Sequence, residues 1–226
     1  MNINFSKRIF TSIILLFILF ICLFLSKILW FYLLIAASII SYFEFNNLIK
    51  KINSLSKQKK ILTNIISSIY LIFFIFVGYS LYNSSKFILL FILLICIFSD
   101  TGGYLVGKTF GGKKLTKISP NKTISGSVGS FVFSLFSIII FIFLDNVDHQ
   151  NLLFKSKILS MPVLIIICLF LSFICQLGDL LISYFKRKAK IKDTGSLLPG
   201  HGGLLDRIDG LIFVMPVTYL LIQLFS

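Results

Sequence analysis

The sequence predicts an all-α, polytopic membrane protein of about seven transmembrane helices with a cytoplasmic N-terminus. Three observations carry this. The 226 residues are 57% hydrophobic, with a mean hydropathy of +0.99, beyond what a water-soluble core requires. The apolar residues fall into separate runs, most near the ~20 residues a helix needs to cross a bilayer. The basic residues are distributed between those runs with a strong bias to one side.

The runs cover roughly 9–26, 28–43, 61–82, 87–107, 124–144, 159–182 and 205–225. Lys7 and Arg8 precede the first run. No small-residue cleavage site follows it, which favours a retained first span over a removed signal peptide. The second run is short, so a tilted hairpin with the first or a re-entrant element is an alternative there. Residues 44–60 are polar and read as a loop or a surface helix. With the N-terminus inside and seven crossings, 18 of the 22 Lys and Arg fall on the inner side. These are Lys7 and Arg8, five between Lys50 and Lys60, five between Lys108 and Lys122, and six between Lys186 and Arg207. Only Lys27, Lys86, Lys155 and Lys157 fall outside. The chain divides into N-terminal spans, 1–90, and a C-terminal region, 91–226, with inner loops at 100–126 and 183–209.

The formal charge of +14 suits anionic headgroups. With no soluble domain to carry a reader fold, nucleic acid is not an expected partner. Cys22, Cys96, Cys168 and Cys175 lie inside apolar runs without zinc-ligand spacing and read as small apolar fillers.

The eight acids locate the chemistry. Asp145 and Asp148 fall in an outer loop, and Glu44 follows the second run as a cap or anchor. Asp100, Asp179, Asp193, Asp206 and Asp209 gather at the inner ends of three runs. Asp179 interrupts an apolar run, where a carboxylate costs several kcal/mol unless paired, metal-bound or hydrated. Asp206 and Asp209 are three apart at the start of the last helix, on one face. Two carboxylates that close need a cation between them, and Mg²⁺ accepts one or two carboxylates plus phosphate oxygens. Capping of the helix by Asp206 is the alternative.

Two glycine-bearing loops accompany these acids. Gly200-His201-Gly202-Gly203 precedes the last helix, where backbone N–H groups and the helix start favour a phosphate. His201 serves either as a phosphate partner or acid, or as a residue fixing the turn. Gly102–Thr109 formally matches a phosphate loop, but it ends an apolar run, and Gly103 and Gly107 fit close helix packing at least as well. Ser119-Pro120-Asn121-Lys122-Thr123 places hydroxyls and an ammonium at the mouth of the fifth run. It suits a triphosphate, or a helix N-terminus with Ser119 as cap and Pro120 in the first turn.

These residues resemble the phosphatidate cytidylyltransferase (CDP-diacylglycerol synthase) family. That family's C-terminal signature is matched by Ser183, Lys186, Arg187, Lys192, Asp193, Pro199, His201, Gly202, Gly203, Asp206, Arg207 and Asp209. A second family block is matched by Ser119, Pro120, Lys122, Thr123 and Gly126, and Asp100-Thr101-Gly102 and Gly178-Asp179 are similar to family elements. The resemblance covers about residues 95–226. It implies a Mg²⁺-dependent transfer of a cytidylyl group from CTP to phosphatidic acid, giving CDP-diacylglycerol and pyrophosphate for phospholipid synthesis. It implies Asp179, Asp206 and Asp209 as catalytic metal ligands. Ser119, Lys122 and Thr123 would meet the CTP phosphates. Lys186, Arg187, Lys192 and Arg207 would meet the phosphatidate headgroup or the pyrophosphate, and His201, Gly202 and Gly203 would shape the nucleotide loop. The expected partners are CTP, phosphatidic acid and membrane lipids at the inner (plasma) membrane, with a homodimer left open. A CTP-dependent kinase or cytidylyltransferase for another lipid is the alternative. A transporter is a rival from another class, although the polar residues gather at one membrane face rather than in two related halves.

Overall fold

The computed structural model describes residues 3–147, 160–200 and 202–225. Its elements are α1 (Ile3–Leu25), α2 (Lys27–Lys50), α3 (Lys57–Ser84), α4 (Lys86–Phe110), α5 (Ile124–Ser134), α6 (Phe136–Val147), α7 (Met161–Lys188) and α8 (Leu205–Phe225). Among the described residues the only extended pairings are two isolated bridges, Lys114–Thr123 and Leu198–Gly202. The all-α expectation holds. Five segments are long and apolar enough to cross a membrane: α2, α3, α4, residues 124–143 and α7. Thr11–Leu25 of α1 is a shorter apolar helix, and α8 carries Asp206, Arg207 and Asp209 at its start.

Local chemistry sets the helix boundaries. Ser26 and Ser85 are extended N-caps whose side chains accept the N–H groups of Ile28 and Phe87, each satisfying a donor that the first helical turn leaves orphaned. Gly111 closes α4 by donating its N–H to the Gly107 carbonyl, at a positive φ of 59° that glycine adopts at no steric cost. α7 also ends at a positive φ, at a residue that is not glycine. Lys190 has φ 56°. Its N–H reaches the Arg187 carbonyl, and the Ile191 N–H reaches that of Lys186, at 3.1 and 3.0 Å. This is the double closure of a Schellman motif.

Two expectations change. The second segment is not short: α2 has 24 residues, about 36 Å of helix. It runs past the apolar stretch to include Glu44–Lys50, so the polar segment 44–60 is mostly helical and only 51–56 separates α2 from α3. The segment 124–144 is broken at Leu135 into α5 and α6. The cause is local. Ser134 Oγ donates to the Phe131 carbonyl at 2.8 Å and Ser137 Oγ to the Ser134 carbonyl at 2.6 Å, hydroxyl contacts that compete with the backbone ladder.

The chain forms two compact units, one of Met1–Ser80 with Ile182–Asp209, the other of Leu81–Leu181 with Gly210–Ser226. In the first, α2 and α3 pair antiparallel. Trp30 Nε1 donates to the Gly78 carbonyl at 3.0 Å, and Asn64 Nδ2 to Asn46 Oδ1 at 2.9 Å. Leu48, Ile49 and Ile52 pack with Ala189, flanked by Phe45 and Phe185, whose rings meet edge-on at 5.4 Å. This joins the end of α2 to the end of α7.

In the second unit, α4 and α5 approach through glycine. A Cβ on Gly126 would stand 2.8 Å from the Gly103 carbonyl oxygen, and one on Gly129 2.7 Å from that of Gly102. Lipid-embedded helices gain little from apolar burial alone, so close backbone contact and small hydroxyls hold them together. Ser130 Oγ donates to the Ser99 carbonyl at 2.8 Å, and the Ser99 and Ser172 hydroxyls lie 3.1 Å apart. Gly102–Thr109 is helical throughout. Its glycines make room for α5, and its interior N–H groups belong to the helix, so this match is no phosphate loop.

Candidate active site

Two lysine–carboxylate pairs stand out, one in each unit. The first is built on the segment between α4 and α5. Leu115 N–H donates to the Lys122 carbonyl at 2.8 Å and Ile124 N–H to that of Lys113 at 3.0 Å, closing a small hairpin. Ser119 to Lys122 form its turn, with the Lys122 N–H on the Ser119 carbonyl at 3.0 Å. Pro120 suits the second position of such a turn because its φ is already set. Ser119 therefore does not cap the helix. Thr123 does, its Oγ1 accepting the Gly126 N–H at 3.0 Å. The Thr123 and Ser125 hydroxyls lie 2.9 Å apart, and Ser125 donates on to the Gly111 carbonyl. Held at the hairpin's end, Lys122 Nζ pairs with Asp179 Oδ2. Both side chains keep about a quarter of their surface exposed, so water reaches the pair.

The second pair is more buried. Lys186 Nζ meets Asp206 Oδ1 at 2.8 Å, with the side chains 13% and 7% exposed. Asp206 Oδ2 accepts the Thr194 N–H at 2.8 Å, the Thr194 hydroxyl at 3.0 Å and the Gly203 N–H at 3.1 Å. The loop that presents these donors is shaped by glycines at positive φ, Gly200 at 78° and Gly202 at 85°, and is tied by Leu198 N–H to the Gly202 carbonyl. Asp209 lies one turn beyond Asp206 on α8 and is 7% exposed.

A third carboxylate enters this region. Glu44, 8% exposed, accepts the Leu204 N–H on Oε1 at 3.0 Å and the Leu205 N–H on Oε2 at 2.8 Å. The donors at Gly203, Leu204 and Leu205, which the sequence offered to a phosphate, are therefore turned to the chain's own carboxylates. Thr194, 7% exposed, is likewise absent from the sequence-derived site. Glu44 did carry a signal. It is the only Asp or Glu before Asp100, and it stands between two phenylalanines, where a carboxylate needs donors.

Of the other candidates, Lys186 is committed to Asp206, whereas Arg187, Lys192 and Arg207 are exposed, as is Asp193. His201 lies outside the described residues, as does Asp148. Asp179 belongs to the unit of residues 81–181, and Asp206 and Asp209 to the other. Among the described residues no three His, Cys, Asp or Glu side chains form a metal cage. The donor chemistry nonetheless suits a hard cation. Asp179 and Asp206 each already attract an ammonium, and Asp206 Oδ1, with one hydrogen-bond donor against three on Oδ2, is the oxygen with remaining capacity.

Fold and site together define a helical membrane protein in which two carboxylates, Asp179 and Asp206, are each neutralised by a lysine. The chain belongs to the cytidylyltransferase family, whose sequence model matches residues 48–225. It is 41% identical over 152 residues to a phosphatidate cytidylyltransferase of Bacillus subtilis, covering 64% of this chain and 51% of that protein. It is 42% identical over 138 residues to a namesake from Staphylococcus saprophyticus, covering 60% and 49%. With the Rickettsia conorii namesake it shares 39% over 143 residues, covering 63% and 60%. The chain thus spans about half the length of the relatives it matches.

Proposed function

We propose that this chain transfers a cytidylyl group from CTP to phosphatidic acid, yielding CDP-diacylglycerol and pyrophosphate. The family match over 48–225 carries the reading, and the shared name of the relatives supplies its substrates. A phosphatidate oxygen attacks the α-phosphorus of CTP opposite the departing pyrophosphate: one P–O bond forms, one breaks, and the pyrophosphate takes the electron pair. The lipid phosphate is its own nucleophile, so the protein's work is alignment and charge neutralisation. Lys122, with Ser119 and Thr123 beside it, faces the nucleotide phosphates. Arg187, Lys192 and Arg207 serve the lipid headgroup and the leaving group, with Lys186 holding Asp206 ready between turnovers. His201, Gly202 and Gly203 shape the nucleotide loop. Asp179, Asp206 and Asp209 supply the carboxylates for Mg²⁺, which when bound would neutralise the phosphate charge. The site faces the cytoplasm across the inner membrane, as the one-sided distribution of lysine and arginine favours.

The test is turnover of radiolabelled CTP by the purified chain with phosphatidic acid and with other lipid phosphates and lipid alcohols. CDP-diacylglycerol should form from phosphatidic acid alone and only with a divalent cation. Asp209→Asn should remove nearly all turnover while leaving the fold intact. Equal labelling of an unrelated lipid, or full activity of Asp209→Asn, would reject the substrate or the metal assignment respectively.

A further inference from the structure

The start of α8 borrows its cap. The helices α2, α4 and α5 are capped locally, by Ser26, Ser85 and Thr123. Immediately before α8 stands Leu204, whose side chain cannot accept a hydrogen bond. The acceptor comes instead from Glu44 on α2, 160 residues away in sequence. One buried carboxylate takes the N–H groups of both Leu204 and Leu205. Its Oε2 also lies 3.0 Å from Thr194 Oγ1, and the same hydroxyl lies 3.0 Å from Asp206 Oδ2. A hydroxyl has one proton, so a single Thr194 hydrogen is shared between the two carboxylates, while its N–H is held by Asp206. The surrounding glycines are cut to this carboxylate. A Cβ on Gly195 would come 2.7 Å from Glu44 Oε1, and one on Gly203 would collide with the Glu44 carboxylate and the Thr194 hydroxyl.

From this geometry we infer that Glu44 is a positioning residue for the reaction: through the Leu204 and Leu205 amides it fixes the first turn of α8, and through Thr194 it fixes the orientation of Asp206. The inference rests on the cytidylyl-transfer reading. Glu44 lies ahead of residues 48–225, the span matched by the family, and touches no reacting atom in that mechanism. Its effect is on where Asp206 and Asp209 point. Misplacement of a reacting arrangement by about 1 Å is enough to cost about a hundredfold in rate.

The experiment uses the full-length purified chain and the variants Glu44→Gln, Thr194→Val and Thr194→Ser. Four quantities are read: kcat, KM for CTP, the Mg²⁺ concentration giving half-maximal rate, and hydrogen exchange at the Leu204 and Leu205 amides. Glu44→Gln and Thr194→Val should lower kcat by about ten- to a hundredfold and raise the Mg²⁺ requirement, leaving KM for CTP near the wild-type value. Thr194→Ser, which keeps the hydroxyl, should restore both. Exchange at the two amides should quicken in Glu44→Gln. Should Glu44→Gln fail to fold, the Thr194→Val and Thr194→Ser contrast decides. Wild-type kcat and Mg²⁺ dependence in Thr194→Val, or unchanged amide exchange in a folded Glu44→Gln, overturns the inference. A wild-type chain inactive on CTP and phosphatidic acid instead overturns the functional reading, and amide exchange still decides whether Glu44 holds the turn.

Discussion

Replacing Gly129 by alanine should loosen the α4–α5 contact and thereby disturb the site. A methyl carbon there would sit 2.7 Å from the Gly102 carbonyl oxygen and 2.5 Å from Val106 Cβ, where ordinary contacts begin at 3.4 Å. The helices must therefore part by about 0.7 Å or more at this level, since neither a backbone carbonyl nor a β-branched Cβ can step aside. Overpacking of this kind costs about 1–3 kcal/mol. Separation also stretches the bond from Ser130 to the Ser99 carbonyl, of a type worth about 0.6 kcal/mol between membrane helices. Each kcal/mol lowers the midpoint by roughly 2–4 °C in a chain of this size, so thermal unfolding in detergent should fall by roughly 2–12 °C. Turnover should fall with it, because Thr123, the N-cap of α5, adjoins Lys122. Val128→Ala, one residue away and exposed, is the control. A Gly129→Ala protein with the wild-type midpoint would refute the claim that glycine is there for contact.

Lys186→Ala should destabilise the start of α8 by about 1.5–3 kcal/mol, the worth of a charge-assisted bond. The three donors remaining on Asp206 Oδ2 should spare it the about 3–5 kcal/mol of a stranded buried charge. Denaturation of the variant measures this, and a loss of 5 kcal/mol would show those donors to be ineffective. Lys190→Gly should stabilise the chain by about 0.5–1 kcal/mol, because the αL strain removed exceeds the entropy glycine adds; a lowered midpoint would contradict it. Cys168→Ala should leave turnover within about twofold, since the fully buried thiol makes only weak contacts, to the Ser134 carbonyl at 3.2 Å and the Ser137 hydroxyl at 3.6 Å. A large activity loss in folded protein would reveal a cysteine function.

What the sequence disclosed and what it hid divide along physical lines. Helical segments were legible because apolar runs between charged ends need only a window of local residues to recognise. The glycines of Gly102–Thr109 were legible too, as packing positions, because the spacing of Gly103 and Gly107 matches one helix face. The break at Leu135 was not, because Ser134 and Ser137 act through rotamers that composition does not reveal. Asp206 and Asp209 look alike in sequence yet differ in place, the first surrounded by donors from a loop, the second a turn deeper. That difference, like the role of Glu44 and Thr194, depends on partners 12 and 160 residues away. No local pattern encodes such distances. A hidden carboxylate between two phenylalanines was the one trace left behind.

The imported acceptor at the start of α8 also bears on how the chain can be trimmed. A protein shortened to residues 48–225, the part its family shares, would retain the signature motifs and lose Glu44. Two amides in the interior would then be stranded without an acceptor, and glycines moulded to a missing side chain would line a hole. Such a minimal protein should insert, yet leave the last helix frayed at the end where its aspartates sit.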